Sequence, residues 1–371
     1  MRYATDSLPS VEPQIPTVVT AEGSIAAFKD LQFGPTIKWS RAIERVGGKT
    51  TSKDAADLRL VSKAIQKHAS SNVPTTFPLV SYYGTGRMWR QKRSSRNPTK
   101  SEARGRLRGY VAALDPASDI KSLNRWLRSA DWTEENKNRK VSGARAIKAA
   151  VLACMTEFDD LRFDVEFGEM ALVKRGGEGE RRRWMPFHEL SDGYRNLLGM
   201  VADIAYRAAV LNPHLGDDAA AETPGLILID EIDLHLHPTW QRRVVDDLRR
   251  ALPRVQFIAS SHSPFIIQSL RPGELINLDT DARAEYANQS IEDIAQDVMG
   301  VEQPARSKVF LEKEEAASQY LLLSRSLPDA QPDEREGIEH RMAALLERFS
   351  DDPAFVAMLK LERVAGQSDR P

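Results

Sequence analysis

The stretch Gly225-Leu226-Ile227-Leu228-Ile229-Asp230-Glu231 decides the fold. An unbroken apolar run that stops at two adjacent carboxylates predicts a buried parallel β-strand with acids at its carboxyl end. In open α/β sheets that end of the strands is where ligands bind. Two neighbouring acids there divide a task. Asp230 can hold a divalent cation through oxygen, and Glu231 can orient and deprotonate an attacking water. A strand that merely ends in surface acids would explain Asp-Glu alone, but not the residues around it.

Downstream, a helical pattern from Pro238 to about Leu252 and a strand from Val255 to Ser260 continue in βαβ order. That second strand runs into Ser260-Ser261-His262-Ser263-Pro264, so His262 is expected at the same sheet edge, able to hydrogen-bond a terminal phosphate. Upstream, Leu190-Ser191-Asp192-Gly193-Tyr194-Arg195-Asn196 opens a strong helix that runs to Leu211. Ser191 or Asp192 can cap it, and Gly193 lets backbone N–H groups approach an anion, which makes this helix start a phosphate site. His235 and His237 are spaced as a strand-borne metal pair. They fall, however, in a turn that enters a helix at Pro238, so no dedicated transition-metal site is expected.

The rest of the chain frames this core. Its 371 residues are 41% hydrophobic and 28% charged, with a net charge of -1, enough for a sizeable core and against a uniformly basic nucleic-acid coat. One cysteine, Cys154, excludes an internal disulfide. No secretory leader and no run long enough to span a membrane is seen, so a soluble, cytoplasmic protein is expected, with no membrane partner. Residues 1–86 carry short β-like runs, a helix from Ser52 to about His68 and a strand Phe77–Tyr83. Residues 87–160 form a basic and helical insertion, whose run from Arg87 to Arg108 is either a solvated segment or a phosphate-backbone surface for DNA or RNA. Trp89 and Tyr110 are too sparse there for a base-stacking platform. Residues 161–283 hold the core, with a β-hairpin expected from Leu161–Val173 and Arg181–Phe187 about Gly176–Gly179, and 284–371 a helical tail.

The order of these elements resembles the ABC-type ATPase heads of the SMC, Rad50 and RecF class: a P-loop NTPase core sheet flanked by helices. Leu190–Tyr194 stands where those proteins carry a signature motif, Asp230-Glu231 as their Walker B pair and His262 as their switch histidine. His237 takes the place of the D-loop aspartate in the turn that crosses to a partner subunit. The likeness narrows to bacterial AAA-family ATPases related to the Septu and retron-associated defence ATPases, on Phe77–Arg87, Val298–Val301 and Asp351–Pro353, and covers about residues 70–371. The resemblance implies ATP and Mg²⁺ as cofactors, hydrolysis of ATP, a homodimer or higher homo-oligomer sandwiching nucleotide, and a defence or DNA-maintenance role with a partner nuclease. It also implies Asp230 on the metal, Glu231 on the water, His262 on the γ-phosphate, and Ser191, Asp192 and Gly193 on the partner's ATP. Arg87 is assigned to phosphate or to the dimer seam.

One departure matters. Such ATPases carry a glycine-rich phosphate loop, Gly-x-x-x-x-Gly-Lys-[Ser/Thr], and this sequence has none. Val46-Gly47-Gly48-Lys49-Thr50-Thr51 comes nearest, but Ile43 stands at the first glycine position and no apolar strand leads into it. Residues 1–86 are thus expected to be the remnant of an N-terminal lobe, with the loop supplied upstream or by a partner. Two rivals follow: a nucleotide-binding scaffold subunit that does not hydrolyse, and an ATPase-nuclease of the overcoming-lysogenisation-defect type. For the latter, Val309-Phe310-Leu311-Glu312 would open a metal-dependent nuclease domain, although the glycine after the acid and a later Asp-x-Asp are missing.

Overall fold

A computed structural model describes residues 2–5, 8–12, 15–24, 36–70, 75–87, 105–118, 120–137, 141, 143–174, 183–278, 286 and 289–368. Two compact units divide the chain, Met1–Leu275 and Ile276–Pro371. The first contains β1 (Arg2–Thr5), β2 (Leu8–Glu12), β3 (Thr17–Gly23), β4 (Ile37–Ile43), α1 (Ala56–Ser70) and β5 (Leu79–Tyr83). It continues through α2 (Ile120–Lys137), α3 (Ala144–Cys154), β6 (Phe158–Asp164), β7 (Glu169–Lys174), β8 (Arg183–Pro186) and α4 (Asp192–Leu211). It closes with α5 (Ala219–Glu222), β9 (Gly225–Ile229), α6 (Pro238–Gln241), α7 (Val244–Ala251), β10 (Val255–Ala259) and α8 (Pro264–Gln268).

The centre is a three-stranded parallel sheet ordered β10-β9-β5. Its strands run in step: Tyr83 pairs with Ile229 and Ala259 with Ile229, so all three end at one level. Behind the sheet lies α4, apolar almost all round and therefore buried on most of its surface, packed against α2, α3 and β5. Period-two alternation turns Leu79, Ser81 and Tyr83 of β5 into the protein. Ile227 and Ile229 of β9 are buried likewise.

The continuous apolar run of β9 predicts a strand covered on both faces, and here the structure differs. Val80 is 42% exposed, Leu228 38% and Ile258 54%, so among the described residues the second face of the sheet stays open. Nor, among those residues, does any strand pair with the outer edge of β10.

Two other expectations change. Leu161–Val173 is not one strand but two, β6 and β7, folded back through the turn at Val165–Gly168, with β8 completing a three-stranded antiparallel sheet. The side chain of Asp164 accepts from the N–H groups of Glu166 and Phe167, which nucleates that turn. Gly176–Gly179 lies outside the described residues. The helix expected from Pro238 to Leu252 is interrupted between α6 and α7 by a turn, where the Arg243 N–H bonds the Trp240 carbonyl three residues back and its side chain reaches the carbonyl of Cys154 and the carboxylate of Asp247.

Val46–Thr51 is a turn after the antiparallel strand β4, and α1 begins only at Ala56. Thr50 and Thr51 are spent locally: Arg41 donates to the Thr50 hydroxyl at 2.9 Å and the Ala42 N–H to the Thr51 hydroxyl at 3.0 Å. A phosphate loop needs such a hydroxyl in the first helical turn, so this run is not one.

The second unit holds α9 (Ile291–Asp297), α10 (Lys308–Ser326), α11 (Pro332–Glu347) and α12 (Pro353–Ser368). Tyr320, Ile338, Met342 and Leu359 form its core. Ser290 and Asp293 close a reciprocal capping box at the start of α9. Val309–Glu312 lies inside helix α10 rather than in a strand, which removes the support for a nuclease domain beginning there. Among the described residues, no helix is long and apolar enough to cross a membrane.

Candidate functional site

Because β5, β9 and β10 end in register, the segments that follow them share one sheet edge: Gly84–Arg87, Asp230–His237 and Ser260–Ser263. Backbone bonds stitch these together. The Asp230 N–H donates to the Tyr83 carbonyl at 2.8 Å, and the Ile232 N–H donates to the Ser260 carbonyl at 3.0 Å.

Ser260 joins the acids to the neighbouring strand. Its hydroxyl donates to Oδ1 of Asp230 at 2.6 Å and accepts from the Glu231 N–H at 2.9 Å. Ser261 donates to Oδ1 of Asp233, and Ser263 caps α8 while donating to Gln241 at 2.7 Å. The serines of this loop are therefore structural, and His262 among them is exposed.

Below the acids lies a buried cation. Arg87 is 4% exposed, and its Nε donates to Oδ1 of Asn196 at 2.5 Å. Its Nη1 donates to the carbonyls of Asp230 at 2.7 Å and Gly84 at 3.2 Å, and its Nη2 to the carbonyl of Glu231 at 2.9 Å. Burial pulls the Arg87 guanidinium below its usual range, while the carboxylates of Asp230, Asp233 and Glu231 push it back up. Expected to reach phosphate or a dimer seam, Arg87 instead directs its guanidinium into the protein.

The backbone it grips is strained. Glu231 has φ +48° and His235 φ +62°, left-handed values that cost non-glycine residues roughly 1–3 kcal/mol each and persist only where the surroundings enforce them. The enforcement comes from Arg87 and from α4, where Nδ2 of Asn196 donates to the Leu234 carbonyl at 2.7 Å. Gly193 sits so close to this turn that an added Cβ would lie 2.6 Å from the His235 carbonyl oxygen. The glycine is thus needed for helix-to-turn packing.

Ser191 occupies the N-cap position of α4 but its side chain makes no capping bond, contrary to one expectation for it, and it is exposed. Asp192 pairs with Arg195 one turn on. His237 caps α6, its Nδ1 accepting from the Thr239 N–H at 3.3 Å, and is exposed.

Among the described residues, no cluster of three His, Cys, Asp or Glu could enclose a metal. A half-buried Asp230 carboxylate beside a serine hydroxyl fits instead a cation that keeps waters and takes phosphate oxygens, as Mg²⁺ does. Of the basic run, Arg87 and Arg106 are used internally, Arg106 donating to the Leu211 carbonyl at 2.6 Å and to Thr75, while 88–104 lies outside the described residues. Tyr110 donates to the Pro78 carbonyl at 2.6 Å.

Sequence reasoning missed the supporting groups Asn196, Ser260 and Asp203. One signal was available: Asn196, Asp203 and Arg207 interrupt an apolar helix on buried positions, where polar side chains require partners. Asp203 accepts from the Tyr83 hydroxyl at 2.8 Å and from Nε of Arg207 at 3.0 Å, so β5, whose Tyr83 carbonyl takes the Asp230 N–H, is itself tied to α4.

A family model described as "AAA domain, putative AbiEii toxin, Type IV TA system" matches residues 13–268. The chain is 32% identical over 137 residues to the "Retron Vc95 probable ATPase" of Vibrio cholerae serotype O1 biovar El Tor, covering 37% of this chain and 25% of that protein. It is 35% identical over 142 residues to the "Septu protein PtuA" of Bacillus thuringiensis, covering 34% of this chain and 35% of that protein. The chain therefore spans about a third or less of the length of these curated relatives. Among solved structures, the SMC head domain from Thermotoga maritima aligns with a TM-score of 0.34 at 15% identity, over 71% of this chain and 70% of that one.

Proposed function

The chain belongs to the AAA-domain family that covers its residues 13–268, and on that premise we propose that it is the ATP-binding head of an ABC-type ATPase acting in bacterial defence or DNA maintenance. The observation that carries the reading is the cross-link at the sheet edge: one serine, Ser260, bonds Asp230 and the Glu231 backbone, two residues before His262.

In this reading Asp230 holds Mg²⁺, which neutralises charge on the phosphates. Glu231 accepts a proton from the attacking water at its carboxylate, a contribution of roughly 10²- to 10⁴-fold. His262 hydrogen-bonds the γ-phosphate. Ser191, with a hydroxyl not used for capping, and the backbone at Asp192 and Gly193 contact the ATP of a second copy, and His237 lies in the turn toward that copy. The working form is a homodimer or larger homo-oligomer, with a nuclease as effector and nucleic acid contacting the basic run.

The phosphate cradle comes from outside this sequence or from a partner. The edge of β10, unpaired among the described residues, and the face exposing Val80, Leu228 and Ile258 support this, since a strand-loop-helix element would pair with the one and bury the other.

Phosphate release from ATP and Mg²⁺ tests the reading, first with the purified chain and then with a glycine-rich-loop segment or partner added. Glu231→Gln is expected to abolish turnover and spare ATP binding. Unchanged turnover in that variant would refute the assignment, and ATP binding with no release under any addition would establish the scaffold reading.

A further inference from the structure

The acid-bearing turn is held from beneath by a single guanidinium. Of the five N–H groups of Arg87, four are used: on Asn196, on Gly84, and on the peptide carbonyls of Asp230 and Glu231. The carbonyls belong to the two residues whose carboxylates do the proposed chemistry, and one of them, Glu231, has a left-handed backbone. Asn196 locks the fork in place through its Oδ1 and uses its Nδ2 on Leu234, three residues further along the same turn. Both of its bonds start from the second turn of α4, whose first turn presses Gly193 against His235.

We propose that Arg87 is a positioning residue: locked by Asn196, it sets the places of the Asp230 and Glu231 carboxylates and makes them depend on the position of the α4 N-terminus. A lysine cannot do this, because one ammonium lacks the planar fork that reaches two consecutive carbonyls and Asn196 together. The start of α4 and the acids form one mechanical unit, so a ligand contacting Ser191 or Gly193 shifts the acids through Asn196 and Arg87. The catalytic part of this role rests on the hydrolysis proposed above; the clamp itself does not.

Amide hydrogen exchange on the full chain carrying Arg87→Lys tests it. The Ile232 and Leu234 amides, bonded to Ser260 and Glu231, are expected to exchange about tenfold faster or more, with those of Ile227 and Phe257 unchanged. In an assembly that hydrolyses ATP, kcat should fall about a hundredfold, as for a misplacement near 1 Å. KM for ATP should stay within about threefold. Asn196→Ser, which keeps the charge of Arg87 but loosens its lock, should reproduce the local exchange and serves if R87K does not fold. Wild-type exchange in the turn, or an equal rise in β9, would overturn the proposal. Faster local exchange with unchanged turnover would uphold the clamp and defeat the assignment of the acids.

Discussion

Gly193→Ala offers a sharp test of how closely α4 and the acid-bearing turn are packed. In a helix, replacing glycine by alanine ordinarily stabilises by up to about 1 kcal/mol. At Gly193 the new Cβ would meet the His235 carbonyl oxygen at 2.6 Å and the Leu236 Cα at 3.8 Å, both backbone atoms that no rotamer change can move. Overpacking of this kind costs typically about 1–3 kcal/mol. Displacing the turn would also lengthen the Asn196–Leu234 bond. The net expectation is a destabilisation of about 1–2 kcal/mol, opposite in sign to the helix-propensity effect. Gly337 in α11 is the control, because nothing lies within 4 Å of its added Cβ. There alanine should stabilise by about 0.5–1 kcal/mol. All 6 tryptophans precede residue 276, so tryptophan fluorescence in urea follows the first unit for G193A, and amide hydrogen exchange along α11 in urea follows the second unit for G337A. If G193A is as stable as the wild type or more so, the close approach of helix and turn is refuted.

Arg207→Met should cost about 3–5 kcal/mol in the same urea assay, since it strands the 1%-exposed carboxylate of Asp203 and takes a donor from the Gly109 and Val111 carbonyls. Replacing both members of the pair by apolar residues should recover only part of that loss, because the Gly109 and Val111 carbonyls and the Tyr83 hydroxyl still lose these partners. Ser260→Ala removes the bridge between Asp230 and the Glu231 N–H. It should lower stability by only about 1 kcal/mol, read from the urea midpoint, while reducing phosphate release far more. For pH, burial pushes the Cys154 thiol up to about 12 from an ordinary 9.0. The folded state thus holds this proton more tightly, so the stability it contributes is complete below pH 9 and is lost as pH rises from there toward 12. Cys154→Ala should flatten part of that alkaline loss in urea titrations, and the native thiol should resist alkylation at neutral pH.

The framework of the candidate site was legible because it is written in adjacent residues. The apolar run into Asp230-Glu231, the later strand into His262 and the helix opened by Ser191–Gly193 are local patterns, governed by backbone periodicity, and each element formed near the expected place. The break between α6 and α7 and the extra turn inside β6–β7 were not legible, because both are set by side-chain bonds to backbone nearby or distant in sequence.

By itself, then, the sequence determined the α/β class, the parallel order of strand, helix and strand, and which carboxylates end the central strand. Only the tertiary structure decided what Arg87 does. From sequence it was one of a run of basic residues, and nothing in periodicity separates a cation facing water from one facing carbonyls 143 and 144 residues away. Only the fold decided, too, that one face and one edge of the sheet stay open among the described residues, because burial depends on what packs against a strand and not on how apolar that strand is.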